Sequence, residues 1–405
     1  MEKLNEIKVM RDPIHGYIRI SEKVIWDCIG TKEFQRLRRI KQLGATNRVY
    51  HTAEHSRFSH SLGVYEIVRR MITENTDLSR FLTDYEKVTV MLAGLLHDIG
   101  HGPYSHAFER ISAVTHEEYT ANIIRGDSEV FDVLSAYNER LPEDVAAVIN
   151  HTHSNTLLTQ LISSQLDADR MDYLLRDAYF TGTKYGEYDM ERVLRTIRVR
   201  EGKLVVKESG IHTIEDYIMA RYHMYWQVYL HPVSRSFEAI MTNLFHRMEY
   251  LYEMDPESMA DFPMFVPLLD HRELSNAELF ETDEEAFEYG FNQLRVKSSD
   301  PVIRDLADRL ITRRLFDYEN LYSVAKANEY FEWIQGNGYD PDYYMFIDEN
   351  APTPYQPYTF GTNAIWVLMH DGEIRELSKA SQIVAAVMGT GINDKKVFYP
   401  KELND

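Results

Sequence analysis

The sequence predicts a mainly α protein: a helical core with small β-hairpins, followed by a mixed α/β C-terminal lobe. Three observations carry this. Apolar residues recur at helical spacing from about Ser21 to Tyr252. Only two stretches, 197–209 and 364–377, read as hairpins, turning at Glu201-Gly202 and Asp371-Gly372. The texture changes near 254–275, where Pro256, Pro263 and Pro267 fall. At 405 residues the chain is long for one core, so two units are expected, 1–253 and 254–405.

The elements follow in order. His60 lies at the opening of an amphipathic helix through Val64, Ile67, Val68 and Met71. Thr83-Asp-Tyr-Glu86 has the form of a capping box and starts a helix through Val88, Met91, Leu92, Leu95 and Leu96. Gly100, Gly102 and Pro103 stop it, and Pro103 suits the first position of the next helix. A further helix is expected from Thr156 to about Tyr179, its apolar pattern broken by Asp167, Asp169, Arg170 and Asp172. The acidic run ETDEEAFEYG (281–290) reads as a solvated helix face.

Lys and Arg number 44 against 64 Asp and Glu, a net of −20, which argues against general duplex binding. Anionic ligands would need local basic pockets. A single cysteine, Cys28, allows no intramolecular disulfide and fits a reducing compartment. No signal-like apolar core opens the chain, and no stretch approaches the ~20 apolar residues of a membrane helix. The expectation is a cytoplasmic protein without a membrane partner.

The chemistry concentrates in AGLLHDIGHGPYSHAF (93–108), where three imidazoles and a carboxylate follow a buried helix. Adjacent helical residues do not point the same way, so His97 and Asp98 can converge only where the helix breaks. Imidazole nitrogen with carboxylate oxygen suits a borderline divalent ion. His60 and Asp169 sit in separate helical stretches. Asp169, Tyr173 and Asp177 share a helix face, and buried acids are costly unless paired or metal-bound.

The order His60, His97-Asp98, Asp169 resembles the HD-domain metal phosphohydrolases. The wording is closer to their dNTP triphosphohydrolase branch, which includes the mammalian protein with SAM and HD domains. The shared stretches are VMRDPIHGYI (9–18), EFQRLRRIKQLG (33–44), RFSHSLGV (57–64), AGLLHDIGHGPYSH (93–106), THE (115–117) and DADRMDYLLRD (167–177), with DLADRLITRRLFDYENL (305–321) a weaker match. The resemblance is to the bacterial type, with no SAM domain expected.

It implies one divalent ion per subunit (Mn, Fe, Mg, Zn or Ni) on His60, His97, Asp98 and Asp169, with further Mg accompanying bound nucleotide. Water would attack the α-phosphorus, the nucleoside 5′-oxygen would leave, and deoxynucleoside and intact triphosphate would result. His106 with Glu109 is the implied proton donor, and His101 and His116 are implied to line the catalytic pocket. Arg57, Arg170 and Arg221 match phosphate contacts. Gln42, Leu43, Tyr173, Asp177 and Tyr229 match residues beside the deoxyribose, and Tyr225 stands where the family has a histidine.

The resemblance further implies a homotetramer assembled by activating nucleotides, dNTP or GTP, at subunit interfaces. Lys8, Val9, Gln35, Arg38, Arg192 and Arg313 match the regulatory contacts. Gly30 replaces an aspartate that reads guanine in the mammalian member. The alternatives are another HD phosphohydrolase acting on nucleoside monophosphates, a nucleotide sensor without catalysis, and single-strand nucleic-acid binding at the basic 33–44 stretch.

Overall fold

The computed structural model describes residues 2–348, 364–387 and 394–404, without the side chain of His106. It is mainly helical, with a core of packed helices and three small sheets. The N-terminal hairpin, β1 (Lys3–Asp12) with β2 (Gly16–Glu22), turns at Gly16, whose φ of +70° favours glycine. Helical spacing had given no sign of it, because two-sided exposure leaves β1 little apolar alternation.

Three helices frame the centre: α1 (Arg57–Glu74), α2 (Asp84–Leu96) and, after a break, α4 (Ala168–Thr181). Thr83 caps α2 as its sequence predicts, its side chain accepting from Glu86 N–H while the Glu86 carboxylate returns to Thr83 N–H. The next helix does not begin at Pro103. Residues 102–105 form a turn in which Tyr104 (φ 58°) and Ser105 (φ 50°) are left-handed, and a short helix runs His106–Glu109. Then α3 (His116–Arg125) follows, capped by Thr115.

The expected helix 156–179 is two helices, Thr156–Ile162 and α4 (Ala168–Thr181). The polar interruption is the cause: Asp167 is the N-cap of α4, accepting the Arg170 N–H at 2.7 Å. Asp169 therefore lies in the first turn, where the helix dipole favours a carboxylate.

Strands β3 (Ile197–Arg200) and β4 (Lys203–Lys207) form the expected hairpin over Glu201 and Gly202, both at positive φ. Helix α5 (Ile211–Met224) continues through a π-helical turn, Tyr225–Tyr229, to α6 (Pro232–Met254). Beyond residue 253 come α7 (Glu284–Lys297) and α8 (Pro301–Thr312), which pack on each other. β5 (Phe316–Asn320) and β6 (Phe346–Asp348) flank β9 (Lys396–Pro400). β7 (Trp366–Leu368) pairs parallel with β4 and antiparallel with β8 (Ile374–Glu376), so one sheet joins strands from either side of residue 254.

The acidic run 281–290 departs from its expected solvated face. Asp283 and Glu284 are buried against residues 36–41 and 104, where cations and backbone N–H groups meet them. Among the described residues no helix is long and apolar enough to cross a membrane.

Candidate metal centre and substrate cavity

His60 stands on the first turn of α1, His97 caps the end of α2, and Asp169 sits in the first turn of α4. The donor atoms of these three lie within 4.8 Å of one another. His60 Nε2 is 3.0 Å from Asp169 Oδ1 and 3.8 Å from Asp98 Oδ2. His97 Nε2 is 3.3 Å from Asp98 Oδ1 and 3.7 Å from Asp169 Oδ1. The structure thus brings together all four residues proposed for the metal.

The donor set fits a divalent ion by a test independent of spacing. His97 Nε2 is buried and makes no hydrogen bond, although two carboxylates face it. Its Nδ1 lies 3.0 Å from the Gly94 carbonyl, the partner that fixes an Nδ1–H tautomer and leaves Nε2 as a lone pair. His60 is arranged the same way, with Nδ1 2.8 Å from Asp172 Oδ2. Burial alone would lower the His60 pKa, but hydrogen bonds to Asp169 and Asp172 raise it to about 10. Burial opposes ionisation of Asp98, yet Arg57 and His97 hold it well below the usual carboxylate range.

Supporting residues explain motifs that spacing left unexplained. Asp172 also accepts from His15 (2.6 Å) and from both Arg176 Nε and Nη2 (2.8 and 2.9 Å), and Arg176 reaches Asp12 at 2.9 Å. Asp12 and His15 are the ends of the DPIH turn, so that stretch braces the centre from outside. A Cβ on Gly63 would run into the Asp172 carboxylate. One on Gly100 would collide with the His116 carbonyl and the Thr120 amide. That glycine lets the His97–His101 loop close on α3, where Thr120 Oγ1 donates to the His97 carbonyl and accepts the Gly100 N–H.

Arg57 donates to Asp98 and, at 2.8 Å, to Ser105 Oγ. His101 Nε2 is 3.3 Å from Asp98 Oδ1, and its ring stacks on His116 at 3.8 Å between centroids. Burial, together with Arg57 and His116, drives the His101 pKa well down, so its imidazole is neutral at pH 7. Glu109 pairs with His116 Nδ1. The His106 side chain lies outside the described residues, and with it the His106–Glu109 dyad.

A cavity of about 500 Å³ opens beside these groups, lined by Gln42, Leu43, Arg57, Tyr173, Tyr225 and Tyr229 among others. Asp177 joins the lining, accepting from Tyr229 OH at 2.8 Å and meeting His55 Nε2 at 2.8 Å. His55, stacked on Phe180, drew no notice in the sequence; its signal was the HTAEH spacing ahead of the metal histidine. A second cavity, about 790 Å³, is lined by His97, Asn122, Arg125 and His151 and shares Asp98, His116 and Asp169 with the first.

Arg170 and Arg221 are not among the lining residues. Arg170 bonds to Asp167 and the Ser164 carbonyl, and Arg221 Nη1 bonds to Gln165 Oε1 at 2.7 Å. Both act on Tyr173, offsetting the rise that burial imposes on its hydroxyl. The residues proposed for regulation lie elsewhere. Lys8 and Val9 are on the exposed hairpin strand, and Gln35 and Arg38 bond to each other at 2.8 Å. Arg313 donates to the Arg48 carbonyl. Arg192 donates to the Ser209 carbonyl and lines a cavity of about 730 Å³ with Arg70, Arg80, Arg195, Arg198 and Lys207.

Comparisons with known proteins agree with this geometry. The HD domain family matches residues 57–177 and the HD associated region matches 188–276. The uncharacterized protein YwfO of Bacillus subtilis is 46% identical over 408 residues, covering 99% of this chain and 94% of its own. The deoxynucleoside triphosphate triphosphohydrolase SAMHD1 of Danio rerio is 30% identical over 294 residues, 60% of this chain and 46% of its own. A phosphohydrolase from Bacteroides thetaiotaomicron superposes with a TM-score of 0.82 at 27% identity, covering 97% of this chain and 100% of that one. With its four metal-type donors converging inside the matched segment, the chain belongs to the HD-domain family and is a metal-dependent phosphohydrolase by fold and site.

Proposed function

We propose that the protein hydrolyses deoxynucleoside triphosphates to deoxynucleoside and triphosphate. The observation that carries the reading is the aromatic cavity of about 500 Å³ that begins at Asp98 and Asp169 and reaches the Tyr229–Asp177 pair. Its size suits one small ligand. Tyr173 and Tyr229 meet edge to face, 5.9 Å between centroids, and form a wall against which a sugar packs. The Tyr229 hydroxyl is held by Asp177 at the cavity wall, and a sugar packed there with its C2′ toward that hydroxyl would favour deoxyribose. The similarity to the Danio rerio deoxynucleoside triphosphate triphosphohydrolase supports the same substrate class.

A bound divalent ion would supply Lewis acidity toward a phosphoryl oxygen and a more acidic water. The chain's own residues do the rest. Arg57, fixed by Asp98 and Ser105, presents a guanidinium edge to an α-phosphate. His101, its Nε2 held toward Asp98, lines the pocket beside the phosphate, and Glu109 orients His116. His106 is assigned as the acid that protonates the departing 5′-oxygen. Arg170 and Arg221 serve the distal phosphates after exchanging their present partners.

The reading extends to regulation: nucleotides bind at Lys8, Val9, Gln35, Arg38, Arg192 and Arg313 and assemble a homotetramer. The cation-rich cavity at Arg192 supports an anionic effector in a chain that is otherwise acidic. The test is incubation with each dNTP, alone and in mixtures, with ion-exchange separation of the phosphate product and light scattering for mass. Inorganic triphosphate supports the proposal. Orthophosphate from a monophosphate would replace it with a phosphatase, and binding without turnover with a sensor.

A further inference from the structure

The strongest unassigned connection to the centre comes from the acidic run at 282–288. One oxygen of Glu284, Oε1, accepts two backbone N–H groups, Lys41 at 3.0 Å and Tyr104 at 3.1 Å. The two belong to different walls of the substrate cavity. Lys41 lies in the segment that leads into Gln42 and Leu43. Tyr104 lies in the left-handed turn before the short helix of His106 and Glu109.

Each wall is tied to the chemistry. Residues 40–42 run beside 55–57, with Arg57 N–H donating to the Ile40 carbonyl (2.8 Å) and Gln42 N–H to the His55 carbonyl (3.0 Å). The backbone of Gly44 approaches Tyr104 so closely that an added Cβ would sit 3.3 Å from its carbonyl. Ser105, next in the turn, accepts from Arg57. Two consecutive non-glycine residues at positive φ cost of order 1–3 kcal/mol each and persist only where surroundings hold them.

The neighbours of Glu284 grip the same segments. Thr282 carbonyl receives Arg36 Nη2 at 2.6 Å while Arg36 Nη1 holds the His101 carbonyl at 2.8 Å. Tyr104 OH donates to Glu288 at 2.9 Å.

We propose that Glu284 is a positioning residue for the hydrolytic centre, its single carboxyl oxygen clamping the Lys41 and Tyr104 amides so that Arg57, Ser105 and the 106–109 helix hold their reactive arrangement. The inference rests on reading the centre as a hydrolase. It assigns to the C-terminal half a part of the active-site architecture that lies outside both matched family segments. The clamp needs an acceptor rather than a charge. Burial pushes the Glu284 carboxyl up to about 8, so the neutral form already does the work near pH 7.

The experiment compares Glu284→Gln, Glu284→Asp and Glu284→Ala in the full chain. Gln keeps an oxygen at the same reach and retains kcat within threefold. Asp, one methylene short, and Ala lose kcat tenfold or more while bound metal per chain stays unchanged. Amide hydrogen exchange of peptides covering 41–44 and 102–106 is read in parallel, at least tenfold faster in Asp and Ala and unchanged in Gln. Should Ala fail to fold, the Asp and Gln pair decides. Exchange reports on the clamp without any substrate, so failure of wild type to cleave dNTP sinks the substrate reading alone. Full activity and unchanged exchange in Asp, or loss in Gln equal to that in Asp, overturns the inference.

Discussion

His60 Nδ1 and Asp172 Oδ2 are 2.8 Å apart, both side chains fully buried, and that contact leaves the opposite ring nitrogen facing Asp169. Outer carboxylates of this kind orient a metal-binding imidazole, and their loss costs roughly 10–100-fold in metal affinity. Asp172→Asn is therefore expected to weaken divalent-ion binding by that factor, measured by chelator competition on folded protein. Unchanged affinity would show that His60 needs no such partner.

The same carboxylate predicts the cost of filling the space beside it. Gly63→Ala places a methyl where Asp172 and Arg176 meet, in a packed core that cannot yield. Stability should fall by about 2 kcal/mol or more, seen as a lower Tm by calorimetry.

Asp98 reaches toward His97, His60 and Arg57 at once. Asp98→Ala should abolish turnover and lower bound metal, read by elemental analysis beside an activity assay. Activity persisting in metal-stripped protein would refute the metal assignment.

Tyr229→Phe removes one hydroxyl, leaving Asp177 with His55. Loss of that internal hydrogen bond should cost about 1 kcal/mol of stability, and removal of the hydroxyl should relax discrimination against ribonucleotides with kcat on deoxynucleotides little changed. Steady-state kinetics on matched deoxy and ribo substrates checks this.

Glu284 gives stability a pH dependence whose sign is fixed. Burial outweighs the Tyr104 and Lys41 N–H bonds and the Lys41 charge, and raises the carboxyl from 4.5 to about 8; Arg36, which Asp283 shares, also faces it. The folded state then binds a proton the unfolded state has released. This contribution is complete below about 4.5 and is lost as pH rises through about 8, at up to about 1.4 kcal/mol per unit between. Denaturant titrations of wild type and Glu284→Gln across that window should converge at low pH and diverge at high pH, the variant keeping its stability.

Local signals made the helical core, both later hairpins and the Thr83 cap legible, because periodicity and capping chemistry act within a few residues. The convergence of His60, His97, Asp98 and Asp169 was anticipated through motif wording and the helix break at Gly100. The outer braces were not. His15 meets Asp172, and Asp12 meets Arg176, each across more than 150 residues, and no spacing rule connects them. The 281–290 run failed for a related reason: acids read as solvated unless their partners are known, and here the partners are backbone amides and arginines of 36–41 and 104. Arg170 and Arg221 match phosphate contacts in sequence, but here they are engaged by Asp167 and Gln165.

Asp98, His116 and Asp169 border both the aromatic cavity and the larger one behind α3. The three side chains therefore present faces to two separate hollows at once. A molecule wedged among Tyr173, Tyr225 and Tyr229 would cover them from one side and leave the His97, Asn122 and Arg125 side uncovered.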